Sequence, residues 1–260
     1  MKVDTIGKKG NPVMIMIPGM FCTSEMPAKI GKYFERDYYV VLPTLDGHYQ
    51  ENPHYISKQQ DSKEMIDWLH ASGIHEIELL QGTSMGAEVA LEIAANLDIP
   101  VRHYLYDGGP FFHFPGFFRA LMTKKIMVMV NKAAMQKTPE EAEEALMNDP
   151  FVKKLGGASL ESYRGLLGGF ARIGQWIDRK SVRAIADTCY KCELPELSNE
   201  VLSKTTFLFS EKEPARQSEK RLRKKYPQAN YFIAEGYGHG GFQIQNPRAY
   251  AEYIRELLQE

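Results

Sequence analysis

Short apolar segments alternate with helical stretches along most of the chain, and this alternation restricts the fold more than any other feature. Six apolar runs bounded by Pro or Gly are typical of buried strands: 13–17, 38–42, 77–80, 101–106, 205–209 and 230–234. Helical patterns lie between or after them: 57–72, 87–96, 213–226 and 247–258. Alternating strands and helices predict an α/β fold, with a mostly parallel sheet flanked by helices on both faces.

The alternation stops between residues 110 and 203, where the sequence is helical in character and rich in Met, aromatic and Gly residues. Three stretches there carry a helix start signal or helical periodicity: 117–136, 138–147 and 160–177. We therefore expect an α/β core formed by residues 1–109 and 204–260, with residues 110–203 inserted as a helical cap. Residues 2–7 and the turn that follows predict one hairpin strand at the edge of the sheet.

Charge and hydropathy exclude several classes of partner. The 260 residues contain 32 Lys and Arg against 33 Asp and Glu, so no global charge favours nucleic acid or an anionic membrane. The first residues lack the apolar region of a signal peptide, and no apolar run reaches the roughly 20 residues of a membrane helix. We expect a soluble, cytoplasmic protein that acts on a small molecule.

Three cysteines are too few for a disulfide framework, which agrees with a reducing compartment. Cys189 and Cys192 have the spacing of a redox or zinc motif. The surrounding sequence lacks the βαβ unit of a thioredoxin-like site and a second pair of zinc ligands. We assign this pair no chemistry and expect no metal site.

The segment Gly82-Thr-Ser84-Met-Gly86 follows an apolar strand and precedes a helix-forming stretch. This is the strand-turn-helix context in which G-x-S-x-G forms a nucleophile elbow. The two glycines allow a sharp turn, because a side chain at either position would collide with the neighbouring strand or helix. Ser84 is therefore the candidate nucleophile.

A serine hydroxyl needs a base within hydrogen-bond reach at neutral pH. His239 is the best candidate, because it lies in a Gly-rich loop after the last strand. Loops at the carboxyl ends of parallel strands meet at one edge of the sheet, so this loop can approach the elbow. His48 also follows a strand and could line a pocket.

The acid that would orient the imidazole has more than one candidate. Glu213 follows the strand at 205–209 and opens a helical stretch, with Glu211 two residues earlier. Asp107 follows the preceding core strand. We favour Glu213, with Asp107 as the alternative acid, and Glu211 or no acid also stays open.

Acyl transfer further requires donors aimed at the developing oxyanion. The N–H after the nucleophile belongs to Met85. The loop after the first core strand, Pro18-Gly19-Met20-Phe21, is placed to present the N–H of Met20 as the second donor.

These elements together resemble the α/β-hydrolase superfamily, specifically its capped, esterase-like members. The resemblance rests on the oxyanion loop at Met20, an Asp-Gly-His element at 46–48, the elbow at Ser84, the acid loop at Glu213 and the Gly-His-Gly loop at His239. It departs from the family at Pro18, where a His is usual, and at the acid loop, where Ser210 and Glu213 replace the usual Gly and Asp.

The resemblance implies that the chain is a serine hydrolase. Such an enzyme would cleave a small or medium apolar carboxylic ester through an acyl-enzyme, with no metal or organic cofactor. Cap residues and one loop residue could bind an apolar acyl or alcohol group: Phe21, Phe111, Phe112, Phe114, Phe117, Phe118, Met122 and Trp176. Plain packing between cap and core is the alternative for such a set.

Fold alone does not fix the reaction. The alternatives are hydrolysis of a thioester, lactone, amide or carbon–carbon bond by the same residues, or ligand binding without turnover. Apolar residues of the cap could form a contact between two copies of the chain, so the sequence is compatible with either a monomer or a homodimer.

Overall fold

Seven strands form a single, mostly parallel sheet in the computed structural model, which describes residues 1–150, 152–153 and 157–259. The strands run in the order β1-β3-β2-β4-β5-β6-β7 across the sheet. Their bounds are Lys2–Ile6 (β1), Val13–Ile17 (β2), Tyr39–Thr44 (β3), Ile77–Thr83 (β4), Val101–Asp107 (β5), Thr205–Ser210 (β6) and Asn230–Ala234 (β7). The predicted α/β class and all six core strands are confirmed.

Both faces of the sheet are covered, which explains why its strands are apolar at successive positions. Met14 and Met16 of β2 point into one buried cluster, whereas Ile15 and Ile17 point into the other. Because neighbouring strand residues face opposite sides, a strand with only one buried face would alternate apolar and polar residues instead.

The edge strand β1 does not form the predicted hairpin with the next strand. It pairs antiparallel with β3, so that Lys2 lies opposite Thr44 and Ile6 opposite Val40. Strand β2 is unavailable as a partner because β3 and β4 already pair with it on its two sides. The hairpin prediction was therefore wrong, although the position at the sheet edge was right.

Eleven α-helices are described, and three of the four helical stretches predicted for the core match one helix each. Their bounds are Glu25–Gly31 (α1), Lys58–Ala71 (α2), Met85–Asn96 (α3), Gly116–Ala134 (α4), Pro139–Met147 (α5), Arg164–Gly174 (α6), Arg179–Tyr190 (α7), Asn199–Ser203 (α8), Glu219–Lys225 (α9), Gly241–Gln245 (α10) and Pro247–Leu257 (α11). The expected helix at 213–226 is divided, because Pro214–Ser218 forms a 3₁₀ turn before α9 begins.

The segment between β5 and β6 contributes helices α4 to α8 and a 3₁₀ helix at Gly157–Tyr163. Helix α4 packs against α5, α6 and α7, and α7 in turn packs against α3 of the core. The predicted helix at 138–147 is present, with the Thr138 hydroxyl accepting a hydrogen bond from the Glu141 N–H. Within the described residues, no helix is long and apolar enough to cross a membrane.

Candidate active site

Ser84 lies at a strained turn between the end of β4 and the start of α3. Its φ of 54° is in the left-handed region, which a non-glycine residue rarely adopts. Two backbone bonds hold the turn: the Ser84 N–H donates to the Asp107 carbonyl at 2.8 Å, and the Ala87 N–H donates to the Ser84 carbonyl at 2.9 Å. Strain of this kind persists only where the surrounding structure fixes the backbone.

The glycines of the elbow are required by space. A Cβ on Gly82 would stand 2.2 Å from the Gly86 carbonyl oxygen, and one on Gly86 would stand 2.4 Å from the Pro18 oxygen. Both distances are far inside van der Waals contact, so no other residue fits either position without moving the backbone. The elbow motif is thus explained by the close approach of α3 to β2 and β4.

The hydroxyl of Ser84 is linked to two further polar side chains. His239 Nε2 lies 3.0 Å from Ser84 Oγ, and His239 Nδ1 lies 2.6 Å from Glu213 Oε2. The Glu213 side chain is fully buried, and its other oxygen accepts a hydrogen bond from the Ser210 N–H at 2.6 Å. The three side chains therefore form one hydrogen-bonded chain from the elbow to the acid loop.

The alternative acids have other partners. Asp107 is buried at the end of β5, where its Oδ2 accepts a hydrogen bond from Gln243 Nε2 at 2.9 Å. Glu211 accepts one from the Gly236 N–H at 2.9 Å. Of the three carboxylates considered from the sequence, Glu213 is the one that the structure joins to His239.

Gly108 allows the histidine and its acid to approach β5 closely. Its φ is 61°, and a Cβ there would stand 2.8 Å from Glu213 Oε2 and 3.2 Å from His239 Cε1. Any larger residue would push the carboxylate or the imidazole aside.

Burial and neighbouring charges shift the pKa values of two groups of the site, His239 and Asp107. Partial burial lowers the pKa of His239, but its hydrogen bond to Glu213 and the charges of Glu213 and Asp107 outweigh that effect and raise the pKa above 6.5. Burial, with a further contribution from the Glu213 charge, raises the pKa of Asp107 to about 7. Asp107 is therefore partly protonated at neutral pH.

The predicted oxyanion donors belong to two segments that adjoin Ser84, the start of α3 and the loop after β2. Met85 is the first residue of α3, so its N–H has no acceptor within the helix. In the loop after β2, a Cβ on Gly19 would stand 3.1 Å from Ser84 Cβ, which places the Met20 loop against the nucleophile. Phe21 holds this loop with a φ of 57°, the other positive value outside glycine among the described residues.

The residues predicted to bind substrate occupy different surroundings. Phe21 and Phe111 are fully buried, Phe21 against the ring of Phe170 at 4.3 Å and Phe111 against Phe207 at 5.5 Å. Phe112 and Trp176 are half-buried. A role in substrate binding stays a prediction for all four.

Two residues far from Ser84 along the chain contact this site and were not predicted from the sequence. Gln243 in α10 donates hydrogen bonds to both Thr83 and Asp107, and so joins the ends of β4 and β5. The Tyr163 hydroxyl lies 3.1 Å from where a Cβ on Gly241 would stand. Neither residue belongs to a motif, and only its closeness to His239 in sequence could have indicated Gln243.

One group of carboxylates could hold a cation in the described part of the chain: Asp46, Asp61 and Glu64. Two of them already pair with the ammonium group of Met1, Asp46 at 2.7 Å and Glu64 at 2.6 Å. We therefore assign them no metal. All three cysteines are free and buried.

No protein-family model and no curated protein sequence matches the chain. Solved structures do. An α/β-hydrolase family protein from Desulfitobacterium hafniense superposes with a TM-score of 0.75 and 18% identity, covering 99% of this chain and 100% of that one. An esterase from a marine microorganism gives a TM-score of 0.76 with 16% identity and 98% of both chains covered.

An enol-lactonase from Burkholderia xenovorans gives a TM-score of 0.74 with 12% identity, covering 100% of this chain and 96% of that one. Identities this low establish the architecture and leave the reaction open. The strand order, the elbow after β4 and the helices inserted after β5 agree with the same assignment. The chain therefore has the α/β-hydrolase fold.

Proposed function

We propose that the chain is a serine hydrolase that cleaves a small or medium apolar carboxylic ester through an acyl-enzyme. The observation that carries this proposal is the hydrogen-bonded chain Ser84-His239-Glu213, with distances of 3.0 Å and 2.6 Å. A binding protein has no need of a buried acid, a histidine and a serine in line at a strained turn. A nucleophile, its base and an orienting acid are the set that acyl transfer requires.

The reaction follows from the direction of these hydrogen bonds. Ser84 Oγ attacks the acyl carbon while His239 Nε2 takes the hydroxyl proton, and the carbonyl oxygen becomes an anion that the N–H groups of Met20 and Met85 stabilise. His239 then donates this proton to the leaving alcohol oxygen as the ester bond breaks. Water, deprotonated by His239, attacks the acyl-enzyme and releases the acid and free Ser84.

Glu213 has two roles in this scheme. By accepting from Nδ1 it keeps the neutral imidazole in the tautomer whose Nε2 is free to take a proton. Its negative charge then stabilises the imidazolium that forms during each step. The main-chain donor from Ser210 fixes the carboxylate for both roles.

In the same proposal, residues 110–203 form a cap that covers the site. Two contacts support it: the ring of Phe170 in α6 packs on Phe21 beside the oxyanion loop, and Tyr163 packs on Gly241 beside the His239 loop. Substrate selection would then fall to the cap. The names of two structural neighbours, an esterase and an enol-lactonase, agree with an ester or lactone as the bond cleaved.

A fluorophosphonate probe tests the proposal without knowledge of the substrate. We expect one covalent adduct in the intact-protein mass, and peptide mapping should place it on Ser84, because only a serine activated by a base reacts at neutral pH. Denatured protein is the control and should stay unlabelled. Absence of an adduct on the folded protein would contradict an activated serine.

The rate of this labelling should depend on pH through His239, which acts as a base only when neutral. Since the pKa of His239 is raised, labelling should be slow in acid and should increase with pH, with a midpoint above 6.5. In Glu213→Gln the midpoint should shift to lower pH, because the hydrogen bond and charge that raise the pKa are removed. A rate that is flat from about pH 5 to pH 8 would exclude a histidine base.

A further inference from the structure

The outer side of α4 and its C-cap residue, Met135, carry apolar side chains that the fold leaves in solvent. Phe117, Leu121, Val128 and Met135 are 72%, 44%, 52% and 81% exposed. They follow one another at spacings of four, seven and seven residues, so they form one stripe along the helix. Phe118, 46% exposed, extends the stripe at its first turn, where its ring contacts that of Phe117 at 5.0 Å. Large apolar side chains grouped in this way mark an interaction surface.

The charges on the same helix have a single sign. Helix α4 contains four basic residues and no acidic one: Arg119, Lys124, Lys125 and Lys132. Lys124 is exposed and follows the stripe residue Leu121 by three positions, close to one helical turn. Two of the four pair with carboxylates of neighbouring segments, Arg119 with Asp187 at 3.3 Å and Lys132 with Asp149 at 3.2 Å. The net charge of −1 for the whole chain, from which no membrane partner is expected, does not reveal that this helix carries basic residues alone.

A groove beside the stripe continues the basic surface. It has a volume of about 450 Å³ and lies between α4 and α7, with Arg119 and Lys124 on one side and Arg183 on the other. Asp187 is its one carboxylate and pairs with Arg119 at 3.3 Å. The remaining two cations face the groove beside exposed apolar side chains.

We propose that this surface, formed by α4 and the groove that it shares with α7, docks onto an anionic lipid surface. A helix with an apolar stripe and basic residues beside it lies in the plane of a membrane interface, with the apolar side chains below the head groups and the cations among the phosphates. The groove would take an anionic head group between Lys124 and Arg183. This inference does not depend on the proposed hydrolase activity.

The charges also decide against a second copy of the chain as the occupant. In a two-fold symmetric contact each surface meets itself, so both copies would bring the basic residues of α4 into one interface, and this helix has no carboxylate to pair with them. Such like charges oppose pairing, whereas anionic lipid head groups attract and neutralise them.

Helix α5 indicates which part of α4 approaches the lipid. Its first turn carries Glu140 and Glu141, both exposed, just beyond the end of α4. An anionic surface repels these carboxylates. The first three turns of α4, with Phe117 and Leu121, should therefore insert more deeply than the end at Met135.

Vesicle flotation with the purified protein tests this docking. We expect binding to vesicles of phosphatidylglycerol and phosphatidylcholine that decreases as salt is added, and little binding to phosphatidylcholine alone. The double variant Leu121→Ser, Val128→Ser and the single variant Lys124→Glu should each reduce the partition coefficient about 10-fold. All three side chains are exposed, so the thermal midpoint should stay unchanged.

Matched control variants come from the end of α1, which packs against α11 on another part of the core. Tyr33→Ser removes a large exposed side chain and Lys32→Glu reverses an exposed charge there, and both should leave vesicle binding as it is. The proposal fails if the wild type does not bind anionic vesicles, or binds neutral vesicles equally well. It also fails if the protein sediments as a dimer that the α4 double variant dissociates.

Discussion

Replacing Ser84 by Ala should reduce ester turnover by on the order of 10⁶-fold in kcat. The alanine removes the only atom that forms the acyl bond, and His239 at 3.0 Å has no other hydroxyl to deprotonate in this line of hydrogen bonds. The measurement is the hydrolysis rate of an activated ester such as a p-nitrophenyl acylate, together with the loss of the fluorophosphonate adduct.

The loss of activity identifies Ser84 as the nucleophile only if the Ser84→Ala protein is still folded. The main-chain bonds of the elbow do not involve the Ser84 side chain, so the thermal midpoint of Ser84→Ala should remain close to that of the wild type. Ser203→Ala is the matched control, because this exposed hydroxyl donates only to the Glu200 carbonyl in α8 and lies outside the site. If Ser84→Ala keeps its activity while the control is also active, another residue is the nucleophile.

The sheet and the elbow could be predicted because local residue patterns determine them. Strands buried on both faces appear in the sequence as short apolar runs, and the collisions at Gly82 and Gly86 make glycine obligatory where α3 approaches β2 and β4. The meeting of Ser84 with His239 follows in turn, because both lie in loops at the carboxyl edge of a parallel sheet.

Other features could not be predicted, because they depend on which distant segments meet. The sequence of β1 is compatible with a hairpin, and only the two parallel neighbours of β2 direct it to β3. The sequence also left three carboxylates open for one role. What separates them is side-chain reach: Glu211 turns to the Gly236 N–H and Asp107 to Gln243, so neither is joined to the imidazole.

The variant Glu213→Gln should lower kcat by about 10⁴-fold with little change in fold. Its amide oxygen can keep the hydrogen bond from the Ser210 N–H, which turns the amide nitrogen toward His239 Nδ1. An N–H donor at that position favours the tautomer with its proton on Nε2. This tautomer cannot accept the Ser84 proton, and the imidazolium also loses its counter-charge.

Asp107→Asn should lower kcat by less than about 10-fold. Asp107→Asn and Glu213→Gln should therefore differ by roughly three orders of magnitude in kcat. Burial already raises the pKa of Asp107 to about 7, so a neutral side chain of the same shape resembles a state that the wild type populates. The asparagine oxygen can still accept from Gln243 Nε2. Steady-state kinetics of both variants beside wild type measure the ranking. A large loss in Asp107→Asn with a small one in Glu213→Gln would transfer the orienting role to Asp107, and the 2.6 Å contact of Glu213 would then be structural.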